Sequence, residues 1–549
     1  MQTKRLRILM STEASSLLTG FSKYTRELLK RLYAMDKYDL AEFASFSTIE
    51  HANQNPVPWK HYPNHIEDNH PEKSSFDSNP ANVYGAWRFD RVCLHFKPDI
   101  VFDIRDPWMM AHEYHASSRP YFHHVVMPTV DSAPQRPEWI EDFDTADAVF
   151  TYSDWGGKVL KKQTGGKINW QGATYCGADK MFAPVKDKYQ HRKQMGFVDD
   201  PNAIIIGTIM RNQKRKLYPE LFKAFRLFLD KAPQNIAKNT YLYVHTGYPD
   251  GAGWDIPSLI QECGLGNKVL FTYICKDSKQ PFCSFMQDAR TYSPFTNDST
   301  GVLPGVGVGL DEQQLASIIQ VFDLYVQYSI TEGLGMPMLE AAACGIPIAA
   351  VNYSAMEDII RLTNGYPIKV RTMFREFETG ADRAYPDGEH FVEQLTKFIN
   401  LPREEREKKG KEAYIAAEKY FNWDRVASLW SSYFDSAKLT GKQGKWDSSP
   451  DIKEPENNMP NNLNNKDFVR WCYNTVSCEP EKLYSYKALS ALQDLNYGAS
   501  RNGNNIQHFS QQFFFEHCLN RRQNLNSFER VRCNMAPLMP VDYLECDGK

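Results

Sequence analysis
The chain has 549 residues, of which 42% are hydrophobic and 24% charged, with a formal net charge of -3. That length exceeds what one hydrophobic core fills, so two or three domains are expected, and the composition is that of a soluble globular protein. The near-neutral charge excludes a general polyanion binder, so no nucleic-acid partner is expected. No run approaches the roughly 20 apolar residues of a membrane span, which leaves only peripheral membrane contact open.

At the start, Met1-Gln-Thr-Lys-Arg-Leu-Arg-Ile-Leu-Met10 places basic residues before a short apolar run, which Ser11-Thr-Glu13 interrupts too early for a signal-peptide core. A first strand over residues 6–10 is the better reading. A Gly-containing turn and a helix over residues 21–33 follow, the opening unit of a nucleotide-type α/β domain. The absence of G-x-G-x-x-G argues against a dinucleotide cofactor. Residues 48–85 are polar, His- and Asn-rich, and read as a long loop or irregular insertion. Strand signals resume at residues 99–103, 123–127 and 148–151, and residues 184–200 form a polar hinge. The eleven scattered cysteines, an odd count without a signal segment, predict reduced thiols and a cytoplasmic location. Cys275 and Cys283 have no matching Cys/His pair nearby, so no metal site is expected.

A second α/β pattern begins with a strand over residues 203–210. The basic run Arg211-Asn-Gln-Lys-Arg-Lys216 and a helix over residues 221–229 come next. Further strands are expected at residues 241–247, 268–272 and 321–327. Residues 273–309 read as a flexible lid or insertion; Pro304-Gly-Val-Gly-Val-Gly309 within it is not a phosphate loop, since no Lys follows. The stretch Glu332-Gly-Leu-Gly-Met-Pro-Met-Leu-Glu340 then opens a helix that Gly345 and Pro347 stop. Gly333 and Gly335 allow unusual backbone conformations and close approach of a ligand, and Pro337 suits the first helical position. The amides from Gly335 through Leu339, with the positive end of the helix dipole, suit a phosphate.

This stretch, with Glu-Ala-Ala-Ala-Cys-Gly-Ile-Pro following from Glu340, resembles the E-x7-E signature of retaining, nucleotide-sugar-dependent glycosyltransferases of family 4, the group 1 enzymes with the two-domain GT-B fold. The resemblance covers residues 5–437. It implies two Rossmann-like doubly wound parallel-sheet domains facing across a cleft: residues 1–185 on the acceptor side and 186–420 binding the nucleotide sugar. Residues 421–440 would be a helix crossing back to the first domain. By resemblance Gly20 lies under the acceptor or the donor diphosphate, though it also suits a plain turn. Arg211 and Lys216, counted back from Ala224, meet the donor diphosphate, leaving Lys214 and Arg215 solvated. Glu332 contacts the hydroxyls of the donor sugar and Glu340 the ribose diol, with Gly333, Leu334, Gly335, Met336 and Pro337 as the donor-binding loop. Many relatives carry a His where Met127-Pro-Thr-Val-Asp131 stands. Asp131 either orients an acceptor hydroxyl or accepts its proton, or else caps the following turn. Most relatives also have Gly-Gly where this chain has Tyr353 and Ser354.

The implied reaction moves a sugar from a nucleotide-diphosphate donor to a carbohydrate-type acceptor. Protein cations would do the neutralising, no metal or other cofactor is called for, and no D-x-D stretch stands in a plausible cleft position. A sugar-nucleotide epimerase, a phosphorylase and a non-catalytic carbohydrate-binding relative of this fold are the alternatives. Beyond the resemblance, residues 441–466 read as an Asn-, Pro- and Ser-rich linker. Residues 467–549 read as a small appendix with helix candidates at 467–472, 482–495 and 507–520, of unassigned role.

Overall fold
Parallel strands covered on both faces need apolar residues in unbroken runs, not at alternate positions. The first such run becomes β1 (Leu6–Glu13), whose last six residues are buried. The computed structural model describes residues 5–196, 200–286, 301–305, 308–439 and 446. The candidate helices of residues 467–549 lie outside them.

β2 (Tyr38–Ser45), β3 (Lys60–Pro63), β4 (Ile100–Asp103), β5 (His123–Val126), β6 (Ala148–Thr151) and β7 (Trp170–Ala173) join β1 in a sheet of order β3-β2-β1-β4-β5-β6-β7. The ladders from β3 to β6 are parallel. Parallel neighbours require crossovers, which helices such as Gly20–Ala34 supply. Leu9, Phe43 and Val101 pack with Phe89, Val92 and Phe122 in the core beside this sheet.

Two regions differ from their sequence reading. Residues 48–85 are not an extended loop: they hold a helix at Ile49–Gln54 and the edge strand β3, because Trp59, Tyr62, Ile66 and Phe76 are all buried. The expected linker 441–466 contributes a core residue. Trp446 is buried, its ring centroid 4.4 Å from that of Tyr121 and its indole N–H donated to the Pro98 carbonyl at 2.9 Å.

The second sheet contains β8 (Ile204–Ile209), β9 (Thr240–His245), β10 (Val269–Cys275), β11 (Pro281–Phe285), β12 (Gly301–Val302), β13 (Leu324–Gln327), β14 (Ile348–Val351) and β15 (Tyr366–Ile368). Its order is β11-β10-β9-β8-β13-β14-β15, with β12 also on β10. β9, β8, β13, β14 and β15 run parallel to their neighbours, as the α/β reading requires. β11 and β12 lie antiparallel on β10, so the described part of the expected lid includes two strands of the sheet. A hairpin of β16 (Val370–Arg375) and β17 (Asp382–Pro386) was not anticipated; five of the six residues of β16 are exposed and show no inward–outward alternation.

The chain divides into two compact units. Among the described residues, one takes those up to Met127, Thr145–Val149 and those from Ser436; the other takes Pro128–Asp144 and Phe150–Asp435. The helix Trp423–Ser436 packs within the second, with Trp430 4.4 Å from Phe150 between ring centroids.

Candidate functional site
β13 ends at Gln327, and the loop after it enters the helix Met336–Ala343 through Gly335. Gly335 is the N-cap and sits at φ +82°, and a Cβ there would lie 2.3 Å from Met338 Cε. Gly333 has no such φ, but a Cβ on it would lie 2.3 Å from Thr129 Cγ2. One glycine is therefore needed for conformation and the other for close approach. Pro337 falls in the first turn, where a missing N–H costs nothing. Leu334 is buried, Met336 and Pro337 are half-buried, and Glu340 is buried one turn into the helix.

The basic loop after β8 is bonded to this loop along the main chain. Leu217 N–H donates to the Tyr328 carbonyl at 3.2 Å and Ile330 N–H to the Arg215 carbonyl at 3.1 Å. That pairing brings Lys216 Nζ onto Glu332 Oε1, with both side chains 7% exposed. The same oxygen accepts from Gln327 Nε2 at 2.5 Å and Ser329 Oγ at 2.8 Å, and Arg215 reaches Oε2 at 3.2 Å. Burial alone would raise the Glu332 carboxyl, but the charges of Lys216 and Arg215 and these hydrogen bonds outweigh it and hold it down at about 2. Burial pulls the Lys216 amine down to about 8 against the opposing pull of Glu332, so it is an ammonium at neutral pH. Two cations face one carboxylate, which leaves this corner net positive.

Arg211 is placed elsewhere. Its side chain is 59% exposed and its Nε lies 3.1 Å from Asp250. The expectation that Arg215 is merely solvated is corrected: it touches Glu332, because Gln213 N–H turns back to the Arg211 carbonyl and Lys216 N–H to that of Gln213, folding the loop onto itself. Gly20 is the exposed first residue of its helix, after the N-cap Thr19, whose hydroxyl accepts from Ser22 N–H at 3.2 Å.

Asp131 does not serve as a cap for its turn: among the described residues its carboxylate accepts from Arg383 Nη1 and from the Ser132 hydroxyl, each at 2.9 Å. Its carbonyl accepts the Thr331 hydroxyl, which joins it to the residue before Glu332. Tyr353 and Ser354, which stand where the resemblance implied a pair of glycines, both hold this site. Ser354 adopts φ +56° and its hydroxyl accepts from Glu332 N–H at 3.0 Å. The Tyr353 hydroxyl donates to the Asp382 carbonyl at 2.6 Å. Sequence reasoning missed Gln327, Ser329, Ser354 and Arg383; of these, Ser329 and Gln327 carry a signal, since they stand three and five residues before Glu332. Among the described residues no cluster of three or more His, Cys, Asp or Glu could hold a metal ion.

The model of the family "Glycosyl transferases group 1" matches residues 306–415, which include Glu332 and Glu340. No curated protein matches the chain in sequence. Among solved structures, sucrose-phosphate synthase from Thermosynechococcus elongatus superposes with a TM-score of 0.57 at 16% identity, over 79% of this chain and 100% of that one. HepE of Anabaena in complex with UDP and glucose gives 0.53 at 15% identity, over 79% and 100%. A glycosyltransferase from Rickettsia africae gives 0.53 at 14%, over the same 79% and 100%. Identities this low speak for fold alone. Residues 306–415 thus match the group 1 glycosyltransferases, and the parallel-sheet α/β fold around them is the one found in GT-B glycosyltransferases.

Proposed function
We propose that the protein is a retaining glycosyltransferase that moves a sugar from a nucleoside-diphosphate sugar to an acceptor hydroxyl, without a required metal ion. The observation that carries this reading is the pairing of Lys216 and Arg215 with Glu332 at the mouth of the helix Met336–Ala343. The hard step in glycosyl transfer is departure of the diphosphate while the sugar gains oxocarbenium character. Fixed cations and helix N-terminal amides aimed at that growing charge are worth roughly 3–4 kcal/mol for each donor. In the free protein Glu332 holds the Lys216 ammonium in place; a bound diphosphate would take over that cation and leave the carboxylate to accept from sugar hydroxyls. Arg211 engages Asp250 through an exposed pair, which a diphosphate outcompetes cheaply. Glu340, buried one turn into the helix, is assigned to the ribose diol, since a carboxylate accepts two hydroxyl bonds.

Retention fits attack by the acceptor on the face from which the diphosphate leaves, with no covalent intermediate on the protein. Asp131 is then a reader of hydroxyls beside the reacting sugar. UDP is the first nucleotide to test, because the HepE structure was solved with it. Titration with UDP, followed by nucleotide release from UDP-, GDP- and ADP-sugars in the presence of EDTA, tests the reading. Binding and slow release without a metal ion are expected. An epimerised sugar with no release would favour the epimerase instead.

A further inference from the structure
Arg383 is almost fully buried, with its side chain only 7% exposed, and it comes from β17 of the hairpin that the sequence did not announce. Its guanidinium is divided between two carboxylates. Nη1 donates to Asp131 Oδ2 at 2.9 Å, while Nε and Nη2 both donate to Glu376 Oε2, at 3.0 and 2.7 Å. Glu376 is further fixed by the Thr379 hydroxyl. The backbone around this pair is fastened to the loops on either side. Ala384 N–H donates to the Ile330 carbonyl at 3.1 Å, two residues before Glu332, and Asp382 N–H to the Ala133 carbonyl at 2.8 Å, two residues after Asp131.

We infer that Arg383 is a positioning residue of the proposed transfer: it acts through Asp131, fixing that carboxylate beside the Glu332 loop, with Glu376 as its anchor. The inference rests on the reading of the site as a glycosyl-transfer centre. A guanidinium has a planar fork that can serve two carboxylates at once, which an ammonium does only with loss of one direction. Asp131 keeps 30% of its side chain exposed, so one face of the carboxylate is open while Arg383 and Ser132 determine how it is turned. Of its two partners, Glu376 lies in the hairpin turn and among the described residues shares no bond with the Glu332 loop, whereas Asp131 is bonded to that loop through Thr331.

The test is a double-mutant cycle of Arg383→Gln and Asp131→Asn, with Arg383→Lys as the conservative variant. It is read by two quantities: affinity for UDP, and the rate of UDP release from UDP-glucose with and without sugar acceptors. Arg383→Gln is expected to leave UDP affinity within about twofold and to slow release roughly 10- to 100-fold, the scale on which small misplacements act. It should have little further effect once Asp131 is Asn, and Arg383→Lys should restore part of the rate. An equal slowing by Arg383→Gln in the Asp131→Asn background would overturn the inference, because the effect would then not pass through Asp131. A wild-type rate in Arg383→Gln would overturn it as well. If Arg383→Gln fails to fold, the cycle is run with Arg383→Lys alone, and the same additivity decides it. Wild-type protein that releases no nucleotide from any nucleotide sugar would remove the transfer reading, and this inference with it; that result is distinct because it appears without any substitution.

Discussion
At the scale of single residues, the site is an exercise in keeping a buried carboxylate ionised. Glu332 is held at about 2, below the ordinary 4.5, by two cations and two neutral donors. Because the folded value lies below the unfolded one, this group stabilises the fold above about pH 4.5, and the contribution disappears as the pH falls towards 2. Chemical unfolding between pH 5 and pH 2.5 should therefore show a flatter acid slope for Glu332→Gln than for the wild type; identical slopes would place the acid-labile carboxylate elsewhere. Lys216→Ala and Arg211→Ala are expected to lose most turnover, on the order of 100-fold or more, with the far-ultraviolet circular dichroism preserved. Near-wild-type rates in both would end the diphosphate assignment. Arg215→Ala belongs in the same series, with a smaller loss than Lys216→Ala, since its side chain is 43% exposed against 7% for Lys216. For Glu340→Gln, weaker UDP binding by titration is expected, and unchanged affinity would remove its ribose role.

At the scale of elements, the glycines of the signature can be told apart. Gly335 needs its left-handed backbone, so Gly335→Ala is strained whatever space is made around it. Gly333 needs only room, and the atom in the way is the Thr129 methyl. Gly333→Ala should cost about 1–3 kcal/mol, and Thr129→Ser in the same chain should return much of it. Thermal melts of the two single variants and the double decide this; strict additivity would contradict the close contact. The contrast also shows what could be read before the structure. Runs such as Ile-Ile-Ile-Gly-Thr-Ile over β8 and the Gly-x-Gly-x-Pro helix start were legible, because buried parallel strands and helix caps write themselves in local residue types. β16 was not legible, because an exposed edge strand has no apolar face to declare it. Arg215 and Arg211 lie on one short run, and which of them meets Glu332 depends on how that run folds back, a tertiary fact that spacing does not carry. The role of Ser354 was hidden for a related reason: a left-handed backbone in a non-glycine residue is compensated here by the hydrogen bond its hydroxyl makes to Glu332 N–H.

At the scale of the molecule, the α/β architecture was readable from the order of strand and helix patterns, and the similarity to solved structures extends over 79% of the chain. Less was readable at its margins: β3 and Trp446 both fall in polar stretches whose few aromatic residues turn out to belong to a core. The proposed function stands on the corner built by Lys216, Arg215 and Glu332 holding a nucleoside diphosphate while a sugar leaves it. The most direct measurement is nucleotide release from a panel of UDP-, GDP- and ADP-sugars in EDTA, with wild-type protein beside Lys216→Ala. Release from at least one donor by the wild type, reduced on the order of 100-fold in the variant, is the predicted result. Equal release by the two proteins, or donor binding with no release and no transfer to any acceptor, would contradict it.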